Sequence, residues 1–235
     1  MKPSGAELFA RYAYPPNELG YCGPDDASVL LARDSERDVA QSARQFEGAW
    51  PYLEIIAAAA GIGDPLDPRV VEAYWIGNEL LDTVSPESLM AELQQRFPGQ
   101  SGASWVPGLA HHSYHVFAVY PWVGLLRQGR GTDVALSVLQ QCRIRWGEVV
   151  AVGDERVTVA SQPLEQYEGA LVLGAAREEE ASWSVKGRSL LASVAVGDQV
   201  ALHWDWVCDV LSDEQVRVLA ERSADQLART NAGAG

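Results

Sequence analysis

The chain has 235 residues, of which 47% are hydrophobic and 21% are charged. It can therefore bury a substantial core, as one large domain or two small ones. Its formal net charge of -14 would repel phosphate backbones and anionic lipid, which normally bind clustered Lys and Arg. We expect neither nucleic acid nor a membrane as a partner.

The cellular compartment can be inferred from two features: the lack of long apolar segments and the number and spacing of the cysteines. The start, MKPSGAELFARYAYPP, has no continuous apolar segment, and no later stretch approaches the roughly 18 uninterrupted apolar residues of a spanning helix. The three cysteines, Cys22, Cys142 and Cys208, are an odd number without regular spacing, which argues against a secreted disulfide framework. A cytoplasmic protein with free thiols is expected.

The first half of the chain predicts helices separated by proline and glycine. Residues Tyr14 to Asp26 are rich in both and predict a loop. Residues 38–60 have helical composition, and Pro51 should kink or split that helix. Asp67 and Ser85 each precede a proline, which is the pattern of a capping residue followed by the first residue of a helix.

A change of pattern marks the predicted domain boundary. His111 to Leu126 is apolar and interrupted by Pro121, which predicts a buried helix or two half-helices, and a short helix should start at Thr132. From Arg143 onward, short stretches of alternating polar and β-branched or aromatic residues predict antiparallel strands. An open sheet of so few strands would leave its two edges exposed, and closing the sheet into a barrel removes those edges. The strands are therefore expected to form a barrel.

The last element is a helix capped by Ser212, with Gln215 placed to complete a capping box. The predicted class is therefore α+β. A mainly helical domain, residues 1–131, precedes a small antiparallel β-barrel with a terminal helix, residues 132–235.

Two motifs flank the predicted barrel. The first is Cys142 followed by Gly147-Glu148-Val149, and the second is Gly197-Asp198-Gln199-Val200-Ala201-Leu202-His203. Together they resemble the HypC/HupF family of [NiFe]-hydrogenase maturation chaperones, in which a cysteine precedes Pro-Gly-x-Val and a later GDxVxxH. Three differences stand out: Cys142 is internal, Trp146 replaces the proline, and the segment between the motifs is longer than usual.

The resemblance implies an OB-like barrel and a binding site formed by Cys142 and His203, with Trp146 and Asp198 beside them. It further implies that Cys142 and His203 hold iron with cyanide and carbonyl ligands. A soft thiolate and a borderline imidazole suit such iron. The implied role is non-catalytic: an accessory factor that binds a hydrogenase large-subunit precursor or another maturation protein.

Other interpretations of the same residues stay open. Cys142 could simply pack at a domain junction, and His203 could satisfy a buried hydrogen bond. His111 and His115, four residues apart, would share one face of a regular helix and could bind a metal, with His112 pointing elsewhere. Cys22 could be a nucleophile with one of these histidines as its base, which predicts a thiol- or metal-dependent enzyme. A protein-binding module without either site is the third possibility.

Overall fold

The computed structural model describes residues 3–32, 35–99, 105 and 107–233. The first half is helical as predicted. The helices before the sheet are α1 Gly5–Glu18, α2 Ser28–Leu31, α3 Glu36–Ala43, α4 Trp50–Ala59, α5 Pro68–Trp75, α6 Pro86–Arg96, α7 His112–Tyr114, α8 Trp122–Arg127 and α9 Thr132–Cys142. A 3-10 turn, Glu79–Thr83, follows α5, and a π-helical turn, His115–Val119, follows α7. None of the described helices is long and apolar enough to cross a membrane.

Five strands form the main sheet: β1 Arg145–Val152, β2 Arg156–Ser161, β5 Arg177–Ser182, β6 Gln199–His203 and β7 Trp206–Val210. They pair in the order β1-β2-β5-β7-β6, and β1 also pairs with β6, so the order closes on itself. The pairs are antiparallel except for one parallel bridge from β5 to β7, between Ser182 and Trp206. A separate hairpin joins β3 Leu164–Tyr167 to β4 Ala170–Leu173, and α10 Asp213–Ala232 follows the sheet. The predicted α+β class is confirmed.

The capping residues were predicted well. The side chains of Asp67 and Ser85 accept backbone hydrogen bonds at the starts of α5 and α6, with proline as the next residue. Ser212 and Gln215 form both hydrogen bonds of a capping box. Pro51 lies in the first turn of α4, where its missing amide costs no helical hydrogen bond, and the break from α3 comes before it.

The prediction of a loop from Tyr14 was wrong for its first residues, because α1 continues through Pro15 and Pro16 to Glu18. Phe9 and Tyr12 of α1 are fully buried, and this packing outweighs the amide donors that the two prolines lack. The prolines in α1 also affect the candidate site described below. The carbonyl of Tyr12 would normally accept from the amide of residue 16, and Pro16 has none.

The helices and the sheet both contribute to one large apolar cluster, and the interior of the sheet has a cluster of its own that includes Val149, Val159 and Val207. The largest buried cluster joins side chains of α1, α4 and α5 to residues of the second half, among them Ile144, Leu190, Trp206 and Cys208. It therefore extends across the boundary predicted between residues 131 and 132. A second cluster joins Leu139 and Cys142 of α9 to Trp204, the residue that follows β6.

Candidate metal centre

A cavity of about 350 Å³ lies where the helices meet one end of the sheet. Its walls are mainly aromatic and include Phe46, Tyr74, Trp75, Tyr120, Trp122 and Trp204. Neither Asp nor Glu is among the described residues that line it. The polar atoms in the cavity therefore belong chiefly to histidine, cysteine and tyrosine.

Three of these residues form a cluster of potential metal ligands. His112, Cys142 and His203 each offer one donor atom, and the three donor atoms lie within 4.8 Å of one another. Each residue stands at the end of an element: His112 begins α7, Cys142 ends α9, and His203 ends β6. All three are buried, so the fold brings together donors from three distant parts of the sequence.

The imidazole of His203 is held in one tautomer. Its Nδ1–H donates to the carbonyl oxygen of Tyr12 at 2.7 Å, and this is the carbonyl that Pro16 leaves without a helical donor. Nε2 is buried and has no hydrogen-bond partner among the described residues. Burial lowers the pKa of His203 well below its ordinary value, so this nitrogen keeps its lone pair at neutral pH. An Nδ1–H held by a carbonyl beside a free Nε2 is the usual arrangement of a metal-binding histidine.

His112 has a similar arrangement with the nitrogens exchanged. Its Nε2–H donates to the carbonyl oxygen of Cys142 at 2.8 Å, and burial lowers its pKa to about 4. The lone pair therefore lies on Nδ1, 3.1 Å from the hydroxyl of Tyr74. That hydroxyl is also 2.9 Å from the carbonyl oxygen of Gly48. Its single hydrogen can turn to Gly48, which would leave the lone pair on Nδ1 of His112 free.

The sulfur of Cys142 completes the donor set. Burial raises the pKa of this thiol, with a smaller contribution from Cys22, so the thiol carries its proton when no metal is bound. The resulting set of one thiolate and two neutral imidazoles suits iron, zinc or copper better than magnesium or calcium, which prefer oxygen. The orphaned Nε2 of His203 and the spacing of the donors both fit a bound metal.

The backbone around the cluster is held by Arg145. Its guanidinium donates to the carbonyls of Gln140 and Gln141 near the end of α9, and to the carbonyl of Trp204 at 2.6 Å. Trp204 stands in the left-handed region with φ of +54°. Arg145 thereby fixes the chain on both sides of the cluster, next to Cys142 and next to His203.

The other predicted site residues divide into three groups. Cys22 and His115 line the same cavity as the cluster. His111 does not, since its Nδ1 bonds the Ser113 hydroxyl at 2.7 Å and its side chain lines a small cleft beside Arg143 and Leu219. Trp146 and Asp198 also lie outside the described cavity lining, and the carboxylate of Asp198 accepts from the amide of Ala195 at 2.8 Å. The alternative trio of Cys22, His111 and His115 is therefore not brought together.

His112 was predicted as a candidate base for Cys22 but not as a metal ligand, because its ring was expected to point away from His111 and His115. That interpretation assumed one regular helix, but His111 is an extended N-cap residue and a π-helical turn begins at His115. The i, i+4 rule holds only within a continuous α-helix. The sequence showed three histidines within five residues, but it did not indicate which of them would be a metal ligand.

Comparison with known proteins gives a family and no activity. No curated protein matches the chain, and no solved structure does. The family model of DUF6390, described as a family of unknown function, matches residues 1–234, so the chain belongs to that family.

Proposed function

We propose that this protein is an accessory factor for [NiFe]-hydrogenase maturation that carries iron with cyanide and carbonyl ligands at Cys142, His203 and His112. The observation that carries the proposal is the meeting of Cys142 and His203 in one buried cavity. These are the two residues that the family resemblance names, and they are far apart in the sequence, one before β1 and the other at the end of β6. His112 adds a third donor from the helical half.

The form of the sheet supports the same proposal. Five strands close in the order β1-β2-β5-β7-β6, which is compatible with the OB-like barrel of the HypC/HupF family. Cys142 lies just before β1, which begins at Arg145, and His203 ends β6, and β1 pairs with β6. The two motif residues therefore come from neighbouring strands at one end of the sheet.

The cavity suits cargo that carries diatomic ligands. Aromatic walls exclude water, and a buried site offers few competing ligands for open positions on the iron. The thiolate and the imidazoles would hold the iron, and the cavity leaves room for small ligands beside it. The partner that receives the iron would be a large-subunit precursor or another maturation protein. The net charge of -14 favours a basic docking surface on that partner.

The observations favour a carrier over a thiol-dependent enzyme. Burial raises the pKa of Cys22 to about 12, so its nucleophilic form is scarce at neutral pH. No hydrogen bond joins its sulfur to a histidine within the described part of the chain. A nucleophile of this kind needs a base within hydrogen-bond reach.

The experiment is anaerobic purification of the full chain together with hydrogenase maturation proteins, followed by iron analysis and infrared spectroscopy. We expect bound iron and bands from cyanide and carbonyl. Cys142→Ser and His203→Ala should lose both signals. Cys208→Ser is the matched control, because Cys208 is also buried but lies outside the described cavity lining. Bands that survive in Cys142→Ser, or a wild-type protein without iron, would refute the proposal.

A further inference from the structure

His115 is a buried histidine of the cavity that the metal cluster does not use. It is 1% exposed and begins the π-helical turn. Its Nδ1 lies 3.0 Å from the hydroxyl of Tyr52, and its Nε2 has no partner among the described residues. A buried polar atom without a partner costs free energy, so its position in a cavity calls for a ligand.

The hydrogen-bond pattern indicates which nitrogen carries the proton. Burial lowers the pKa of His115 to about 3, so the ring is neutral and has one N–H. If Nδ1 carried that proton, the Tyr52 hydroxyl hydrogen and the Nε2 lone pair would both lack described partners. If Tyr52 donates to Nδ1, only one group, the Nε2–H, is unpaired. The second arrangement costs less, and it makes Nε2–H a free donor.

A second donor lies close to this N–H. A Cβ built on Gly48 would come 2.9 Å from Nε2 of His115 and 3.3 Å from the hydroxyl of Tyr120. Both groups thus face the same small space, which stays open because residue 48 has no side chain. The rings of His115 and Tyr120 are 4.3 Å apart between centroids. Burial raises the pKa of Tyr120, so its hydroxyl also keeps its proton and can donate.

We propose that His115 and Tyr120 form a polar subsite that donates hydrogen bonds to the outer atom of a small anionic ligand on the metal, of the cyanide class. This inference rests on the proposed function, since the ligand must be held by a metal in the same cavity. The nitrogen of metal-bound cyanide is a good hydrogen-bond acceptor, whereas the oxygen of carbon monoxide is a poor one. The subsite would therefore distinguish the two ligands and orient the cargo.

The test uses the full chain loaded anaerobically with Fe²⁺ and titrated with cyanide or with carbon monoxide, followed by infrared spectroscopy. His115→Phe keeps a flat ring and removes both nitrogens. We expect it to weaken cyanide binding by about 10- to 100-fold, which is the range for hydrogen bonds to charged groups, and to shift the C≡N stretch. Carbon monoxide binding should change by less than about threefold, since its oxygen accepts only weak hydrogen bonds.

Two further variants keep the test decisive. His115→Gln retains an N–H donor and should recover part of the cyanide affinity, and Tyr120→Phe should weaken cyanide with little effect on thermal unfolding. Tyr14→Phe is the control for Tyr120→Phe, because Tyr14 is also buried but does not line the described cavity.

Failure of the proposed function and failure of this inference give different results. A wild-type chain that retains no Fe²⁺ overturns both the proposed function and this inference. Iron retained with equal cyanide affinity in wild type, His115→Phe and Tyr120→Phe overturns the inference alone, and assigns the space beside Gly48 to water.

Discussion

At the scale of single residues, the proton on Cys142 would govern metal binding at the candidate site. Burial raises the pKa of this thiol, and a metal must displace its proton, because thiolate is the ligand. The two histidines are neutral, with the pKa of His112 at about 4 and that of His203 well below its ordinary value. Between about pH 6 and 8, only the thiol should release a proton on binding.

Zinc affinity should therefore rise about tenfold per pH unit over this range, because one proton is released for each ion bound. Competition titration with a zinc-sensitive dye at several pH values measures the slope. In Cys142→Ser the dependence should nearly vanish, since two neutral imidazoles remain. A wild-type slope near zero would exclude Cys142 as a ligand.

A second prediction at this scale concerns Pro16. In Pro16→Ala the new amide would share the carbonyl of Tyr12 with His203 Nδ1–H, and weaken the contact that orients the imidazole. We expect about tenfold weaker zinc binding with α1 intact, as seen by circular dichroism. Pro15→Ala is the control, because its amide would face the carbonyl of Arg11 and Pro15 does not line the described cavity. Equal affinity in both variants would contradict this account.

Part of the candidate site could be predicted from the sequence. The resemblance of the two motifs to the HypC/HupF family was the ground for expecting Cys142 and His203 together, and their donor atoms do lie close to each other. The sequence did not indicate His112, because its direction depends on an extended N-cap residue and a π-helical turn. Nor did it indicate the free carbonyl of Tyr12, because Pro16 suggested that the helix had already ended.

At the scale of elements, a buried ion pair joins β1 to β5. The guanidinium of Arg145 is 1% exposed and bonds both carboxylate oxygens of Glu179, at 2.9 and 3.1 Å. Burial alone would raise the pKa of Glu179, but the charge and hydrogen bonds of Arg145 hold it below its ordinary value. Glu179 lies within β5, whose sequence is REEEAS. Three consecutive glutamates are poor strand formers, and here one of them pairs with a buried arginine.

Glu179→Gln should lower the free energy of unfolding by about 3 kcal/mol, because it leaves the charge of Arg145 buried without a counter-ion. Urea denaturation measures the change. Glu180→Gln removes the neighbouring carboxylate, whose pair with Arg156 is exposed, and should cost less than about 1 kcal/mol. Similar losses in the two variants would show that the Arg145 pair has no special role.

At the scale of the whole molecule, the buried histidines make the fold sensitive to acid. Burial lowers the pKa of His111 to about 3, of His112 to about 4 and of His115 to about 3, and it lowers that of His203 as well. An unfolded chain binds protons at these positions near pH 6.5, before the folded chain does. Since the unfolded state then holds more protons, acid favours unfolding.

The free energy of unfolding of the metal-free protein should therefore fall as pH drops below about 6.5. The slope should approach about 1.4 kcal/mol per pH unit for each histidine. Urea denaturation at pH 7, 6 and 5 tests this, and His111→Asn should reduce the slope. A stability that is unchanged from pH 7 to 5 would mean that these side chains gain protons without unfolding.

The fold as a whole was predictable in class and in many element boundaries, because caps, prolines and strand alternation are local signals. The shared core was not, since it depends on contacts between distant segments. It joins α1 and α5 to Ile144 and Trp206, on the two sides of the boundary suggested by the change of pattern.

The depth of the metal cluster has a consequence for exchange with solvent. His112, Cys142 and His203 are all buried, and the exposed ring of Tyr21 stacks on Trp204 at the same cavity, with centroids 4.0 Å apart. A chelator would meet an ion at this cluster only by entering the cavity beside these two rings. A small chelator should therefore remove such an ion faster than a bulky one of equal affinity.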